Sequence, residues 1–317
     1  MREKFSNRKF QVLFNGGLGL VLLGVSIYSV RRFANMGWPL HHADPLLASA
    51  AFVLYLVAVP FKAWGWQRLF AKHERPGAGA LAFAGGAACI GGIALPGRAD
   101  DAVRIAVVRR FPGTRTGFGT IAVSLLVLGM LDNAALTPLA TVAAANAHTW
   151  TIRAGFAVVA VAGVAAASIV AYLPRLARSE RAARFRAGRW LASHAHYSRE
   201  TVAALVFISI AWALRGTSVF LLLNALSLKG SFPLALAFLC ASAASAALPI
   251  APAGAATQAG AGAAILIASG VHAEAAIAFS IAAQAIVIVT GAAALLLVAA
   301  WQVALRVRRL RVAVAPV

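Results

Sequence analysis

Apolar positions run along this chain in long unbroken blocks, separated by short blocks dense in arginine. Candidate segments fall at 12–30, 46–64, 79–95, 118–138, 154–173, 203–226, 232–249, 254–270 and 274–300. Residues 154–173 and 275–300 carry no charge at all. Several blocks meet the roughly 18 apolar residues needed to cross a bilayer core. Lipid offers no partner for an unpaired backbone N–H or C=O, so such blocks must be helical. The pattern therefore predicts an all-α polytopic membrane protein. The first block, 13–30, follows a basic start, ends in no small-x-small cleavage site and runs directly into Arg31 and Arg32. It reads as an uncleaved span rather than a signal peptide.

Charge decides the topology. If every segment crossed from a cytoplasmic N-terminus, the loop holding Arg175, Arg178, Arg181, Arg184, Arg186 and Arg189 would lie outside, against the positive-inside rule. The conflict disappears when 79–95 dips into the membrane and returns. Residues 97–111, GRADDAVRIAVVRRF, are too charged to face lipid and suit the returning arm of such a hairpin. This places 96–116, the basic loop 174–200 and both termini in the cytoplasm. About eight membrane segments result.

A weak echo points the same way. Ala94-Leu95-Pro96 recurs as Ala247-Leu248-Pro249, each time between two short apolar blocks. Residues 46–138 then read as span, hairpin from inside, span, and 203–300 as span, hairpin from outside, span. That is an inverted pair of halves within one transmembrane domain, 1–317, with re-entrant or broken helical hairpins. Two full spans at 232–270 would leave the parity unchanged. In transporters built this way, sites sit where broken helices meet. Glycines at 85, 86, 91, 92, 254, 260 and 262 are expected to let helices approach closely. The 174–200 loop, with Trp190, has the look of an amphipathic surface helix, or equally of a plain topology determinant.

Composition narrows the function classes. Of 317 residues, 61% are hydrophobic and 12% charged, with a net charge of +20. The basic residues cluster between apolar blocks, which suits an anionic inner leaflet rather than nucleic acid. The Ala- and Arg-rich, Lys-poor composition points to a bacterial plasma membrane. Cys89 and Cys240 lie in apolar segments and read as buried free thiols. His41, His42, His194 and His196 sit in loops without carboxylates at ligand spacing, so no metal is expected. No Walker-type phosphate loop and no Gly-x-Ser-x-Gly occurs, and the nine acidic residues leave few candidates for general acid–base work. Neither an enzyme nor a cofactor is expected.

Charge buried in a membrane costs on the order of 3 kcal/mol per residue and marks candidate sites. Asp132 and Arg215 sit deep in apolar segments. A mutual ion pair would offset that cost and join the two halves, either as a substrate contact or as a packing pair. Pro96 and Gly97 break the chain, and Arg98 and Arg104 bring donors suited to phosphate. Asp101 and Arg104, three apart, share a helix face. The alternative for this stretch is a plain interfacial loop. Further on, Pro249, Pro252 and Gly254 interrupt a second helix, and Gln258 follows. Freed backbone at membrane depth implies a protein- or water-lined cavity, although a lone glutamine is also a common helix–helix contact.

These two stretches resemble a known family. LPGRADDAVRIAVVRRF at 95–111 looks like the Leu-Pro-Gly-Arg-Leu-Gly-Glu-x-x-Arg signature of the lysylphosphatidylglycerol synthase transmembrane (flippase-like) family. LPIAPAGAATQAGAGAAIL at 248–266 is similar to that family's Pro-x-Ser-Pro-Gly-Gly-x-Gly-x-x-Glu stretch. By this resemblance Leu95, Pro96, Gly97, Arg98 and Arg104 match, Asp101 stands for the family's Glu, and Pro249, Pro252 and Gly254 match the second motif. Asp132 matches the Asp closing a Glu-Arg-x-x-Asp stretch. Leu128-Gly129, Ala251, Ala253 and Ala259 depart from the pattern.

The resemblance implies a membrane domain that moves or presents a lipid between leaflets, as in the membrane part of multiple peptide resistance factor, where it is joined to an aminoacyl transferase. The implied substrate is a phospholipid or polyprenyl-phosphate-linked lipid whose phosphate meets Arg98, Arg104 or Arg215. The rival readings are a non-transporting accessory of a glycosyltransferase or lipid synthase, and a membrane enzyme using Asp100 and Asp101. The expected partners are membrane lipids, such a synthase, or a second copy of the chain.

Overall fold

The computed structural model describes residues 43–94, 99–147, 149–177, 199–228, 230–246 and 254–314. Segment 12–30, Pro96, Gly97, Arg98, Pro249, Pro252 and most of the loop 174–200 lie outside the described residues. Among the described residues the secondary structure is helical, in nine helices with no strand. They are α1 Pro45–Gln67, α2 Ala78–Ala94, α3 Ala99–Arg110, α4 Phe118–Ala145 and α5 Trp150–Ala177, followed by α6 Arg199–Ala225, α7 Phe232–Ala246, α8 Gly254–Ala268 and α9 Ala273–Val314.

Five of these, α1, α4, α5, α6 and α9, contain stretches long and apolar enough to cross a membrane, and α2, α7 and α8 carry shorter apolar helices. The chain is a multi-span membrane protein. The bounds follow the hydropathy closely at α2, predicted over 79–95. The long helices overrun their apolar blocks: α4 continues past Pro138 to Ala145, and α9 continues to Val314. A helix need not stop where lipid does, because its backbone bonds are internal. α1 starts where Asp44 accepts hydrogen bonds from the Leu46 and Leu47 amides (2.8 and 3.2 Å) and Pro45 takes a first-turn position that needs no donor.

α1 and α6 form the most extensive contact of the bundle and run antiparallel. The Asp44 amide donates to the Ala225 carbonyl (2.9 Å) at one end. At the other, Glu200 accepts from Arg68 (2.7 Å) and pairs with Arg75 (3.5 Å). Between the ends, the Ser218 hydroxyl donates to the Ala51 carbonyl (2.6 Å). α1 also packs on α2, α6 on α7, α2 on α9, and α4 on α7. α2 and α3 pack against each other as an antiparallel pair. Its two feet meet at the Glu200 end, where Thr116 donates to the Glu74 carbonyl (2.7 Å) and the Phe83 ring packs tilted against Phe111 (5.8 Å). The pair therefore leaves from the end at which it started. α7 and α8 pack against each other and α8 packs on α9, while Phe238 of α7 reaches α9 edge-on to Phe279 at 4.9 Å.

Close packing rests on glycine at particular points. A side chain at Gly86 would strike the Gly291 carbonyl and one at Gly291 would strike Cys89, so α2 and α9 meet there backbone to backbone. Gly163 of α5 sits against the Asn133 carbonyl and the Thr137 hydroxyl of α4. Such contacts supply the dispersion and close approach that drive association in lipid. The expected role is met by Gly86, Gly91 and Gly262 but not by Gly85 or Gly260, beside which a side chain would find open space. Among the described residues α5 stands at the edge of the bundle, held almost wholly by α4. Val158, Val161, Val164 and Ile169 form its outward apolar face, as lipid exposure requires.

Candidate functional site

Between these helices lies a cavity of about 690 Å³. α1, α2, α3, α4, α6, α7, α8 and α9 all contribute to its wall. It brings together five of the six polar residues singled out from the sequence: Asp101, Arg104, Asp132, Arg215 and Gln258. Arg98 lies outside the described residues.

The expected Asp132–Arg215 ion pair does not form. Asp132 of α4 instead pairs with Lys62 of α1, Nζ to Oδ2 at 2.9 Å. Its other oxygen, Oδ1, accepts from the indole N–H of Trp212 at 2.9 Å. Trp212 lies three residues before Arg215 on α6, so the indole takes the position facing the carboxylate and the guanidinium lies almost one turn away. There Arg215 stacks over Tyr55 (5.1 Å) and Trp212 (5.2 Å). Its buried Nε has no hydrogen-bond partner. Among the described residues Arg215 is in no ion pair, whereas both other cations of the wall are.

Lys62 is the residue the hydropathy pattern hid. It lies two positions after Pro60 in a block read as ending at 64, where a lysine reads as snorkelling to the interface. The helix in fact continues to Gln67, and Lys62 turns inward over the Trp212 ring at 5.7 Å. The Lys62 and Asp132 side chains keep 23% and 21% of their exposure, which they spend on the cavity.

The predicted Asp101–Arg104 pairing is present and larger than expected. Arg104 bonds Asp101 at 2.7 Å and Asp100 at 3.2 Å, one helical turn away on α3. Both carboxylates and the guanidinium line the cavity. Asp100 and Asp101 stand in the first turn of α3 and Arg109 and Arg110 in its last, each sign opposite to the helix dipole end it occupies. Among the described residues no group of three or more His, Cys, Asp or Glu side chains is placed to hold a metal.

The far wall is chemically different. α7, α8 and α9 contribute Ser242, Ser245, Thr257, Gln258, Gln284 and Thr290, with no charged residue among the described ones. The Ser242 hydroxyl donates to the Gln258 carbonyl at 3.0 Å, fastening α7 to α8. Thr290 is 1% exposed, and its hydroxyl has no hydrogen-bond partner. α7 ends at Ala246 and α8 opens with Gly254, and the expected interruption at Pro249 and Pro252 lies outside the described residues.

Among the described residues, Leu126, Gly129 and Asn133 of α4 both line the cavity and are exposed, which leaves it open beside α4. Among the described residues α4 makes no packing contact with α8 or α9, which line the opposite side. The arrangement can hold an anion against Arg215 within the membrane-spanning bundle and can communicate sideways with lipid.

Residues 12–294 match a family model described as the lysylphosphatidylglycerol synthase TM region. Neither a curated protein nor a solved structure matches the chain significantly.

Proposed function

The chain belongs to the lysylphosphatidylglycerol synthase TM region family, and on that premise we propose that it moves a phosphate-bearing lipid between membrane leaflets. The observation that carries this reading is Arg215. It is a cation inside a membrane-spanning bundle that lines a cavity, rests on two aromatic rings, and lacks a carboxylate partner among the described residues. A charge so placed costs several kcal/mol unless an anion meets it part of the time. A lipid phosphate is the anion at hand, and a guanidinium binds it in a fork of N–H donors. Lys62 and Arg104 extend the cationic side of the site, Asp101 and Asp132 hold them in place, and Gln258 faces them. The phospholipid and polyprenyl-phosphate classes both present this phosphate.

The packing supports a reading of alternating access. Take α1, α2–α3 and α4 as one half, and α6, α7–α8 and α9 as the other. Exchanging the halves maps α1–α2 onto α6–α7 and α2–α9 onto α7–α4, while α1–α6 maps onto itself with its helices antiparallel. Inverted halves about 46–138 and 203–300 account for this exchange, and rocking of one half on the other would open the cavity to each leaflet in turn. Arg68, Lys72, Arg75, Arg109, Arg110 and Arg115 gather at the end where Glu200 and Glu74 tie α1, α4 and α6. The positive-inside rule makes that end cytoplasmic, with both chain termini on the same side of a bacterial plasma membrane.

The test is reconstitution into liposomes carrying fluorescent phosphatidylglycerol, with a membrane-impermeant quencher reporting the outer leaflet. Wild type should expose the inner-leaflet lipid faster than empty liposomes, and Arg215→Ala should abolish the gain at unchanged folding. No lipid movement by a folded wild type would replace transport with the accessory reading, in which copurification with a glycosyltransferase or lipid synthase is the observation to seek.

A further inference from the structure

We infer that the cavity takes up a proton together with its anionic lipid, on the Asp132 carboxylate, so that the two cross as a neutral pair. This rests on the phosphate-site reading above and adds a co-transported ion to it. The starting point is a balance of charge. Among the described residues the wall carries three cations, Lys62, Arg104 and Arg215, and three carboxylates, Asp100, Asp101 and Asp132. With these groups ionised the wall is neutral. A phosphodiester entering at Arg215 adds one uncompensated negative charge inside a membrane-spanning bundle, which is costly. A proton from water, accepted by one carboxylate, removes it.

Asp132 is the carboxylate placed to accept that proton. Asp100 and Asp101 share the Arg104 guanidinium within one helix, at 3.2 and 2.7 Å, and a guanidinium stays charged. Asp132 is held instead by an ammonium on a flexible stem, 2.9 Å away. Lys62 Nζ and Arg215 Cζ lie 5.7 and 5.2 Å from the centre of the Trp212 ring, so an anion beside Arg215 competes with Asp132 for Lys62. When the ammonium turns to the phosphate, Oδ2 loses its partner and accepts the proton. Oδ1 keeps the indole N–H at 2.9 Å. On release of the lipid, Lys62 returns to Oδ2 and the proton leaves to water. Lys62 remains an ammonium throughout.

The surroundings add no rival proton carrier of this kind. The other titratable side chains of the described wall are Tyr55 of α1 and Cys89 of α2, and α7, α8 and α9 contribute none to it. On α5, which also packs on α4, Arg153 is turned to the Ala147 carbonyl at 3.1 Å. Anion and proton thus favour each other's binding, and the linkage is reciprocal.

The test is the pH dependence of binding by the purified full chain in detergent, with fluorescent phosphatidylglycerol, whose phosphodiester stays a monoanion, between about pH 5 and 8. The bound state holds the extra proton, so affinity should fall as pH rises, by up to about tenfold per unit. Asp132→Asn keeps the indole acceptor and mimics the protonated acid. It should bind at every pH about as tightly as wild type does at the acid end. Lys62→Met/Asp132→Asn, which strands neither charge, should also show no slope and serves where the single variant is unstable. In liposomes, a pH gradient at zero membrane potential should drive the lipid toward the alkaline side faster than in protein-free vesicles, and a potential at equal pH should not.

Wild-type binding that ignores pH would overturn the proton inference and leave the phosphate site standing. A slope that survives in both Asp132 variants would place the proton on another group and overturn it too, as would movement driven by potential alone. If the lipid binds wild type at no pH, the phosphate site fails and this inference with it.

Discussion

Replacing Lys62 by Met removes a cation that the packing holds 2.9 Å from the Asp132 carboxylate. The cost can be bracketed. An exposed ion pair contributes about 0–1 kcal/mol, whereas stripping one partner from a fully buried pair costs about 3–5 kcal/mol. The two side chains here keep 23% and 21% of their exposure, which places the pair between those limits and nearer the buried one. After the change Asp132 would still accept the Trp212 indole N–H at Oδ1, so one of its two contacts survives. The expected loss is about 2 kcal/mol.

Asp132→Asn keeps an acceptor for the indole but leaves Lys62 as an unpaired ammonium against the Trp212 ring, and should cost about 3 kcal/mol. The double variant Lys62→Met/Asp132→Asn strands neither charge and keeps the acceptor for the indole. Its cost should fall short of the sum by about 1–3 kcal/mol, as for residues in direct contact. Equilibrium unfolding by SDS in mixed micelles, followed by helical circular dichroism, measures all three. Additive losses, with a coupling below about 0.5 kcal/mol, would show that the pair does not act as a unit and would refute this assignment of the buried charges.

Two further perturbations probe the packing and the opening. Gly163→Val should push α5 off α4 and cost about 3 kcal/mol by overpacking against the Asn133 backbone, whereas Gly155→Val on the same helix, with open space beside it, should stay within about 0.5 kcal/mol; equal effects in the same unfolding assay would contradict the packing described. Gly129→Trp, at a position with nothing within 4 Å of an added Cβ, should stop lipid movement in the liposome assay with little change in unfolding, while transport at the wild-type rate would rule out the gap beside α4 as the lipid's path.

Much of this architecture was legible in the order of apolar blocks and arginine clusters. Residues 79–95 could be read as one arm of a hairpin because GRADDAVRIAVVRRF cannot face lipid, and the structure ends α2 at Ala94 and brings both feet of the pair to one end of the bundle. The spacing of Asp101 and Arg104 gave their pairing directly, since three residues on a helix are neighbours whatever the tertiary fold. Partners across helices were not legible. Hydropathy marks which segments carry buried charge but is blind to how far one helix is set along another, and that setting put Trp212 rather than Arg215, almost one turn further along the same face, opposite Asp132. Lys62 was missed for a related reason, because an apolar block that stops at 64 conceals a helix that runs on to Gln67. Gly85 and Gly86 are alike in sequence, yet one faces open space and the other the Gly291 backbone. Only the packing tells them apart.

Asp132 occupies the point where the two halves meet in the chemistry. Its ion pair with Lys62 lies within the first half, and its bond to Trp212 crosses to the second. Trp212 in turn forms one of the two faces on which Arg215 rests. An anion arriving at Arg215 therefore acts on a guanidinium stacked upon the indole that ties the halves together. Drawing the guanidinium toward a phosphate would alter its stacking on Trp212 and, through the indole, the bond to Asp132. Differential contact of this kind is what a ligand needs to shift a conformational equilibrium, since binding equally well to both states shifts nothing. On the proposed mechanism this step would require no nucleotide, because the binding free energy of the lipid headgroup would itself bias the rocking of the halves, and without an external gradient the movement would run in either direction.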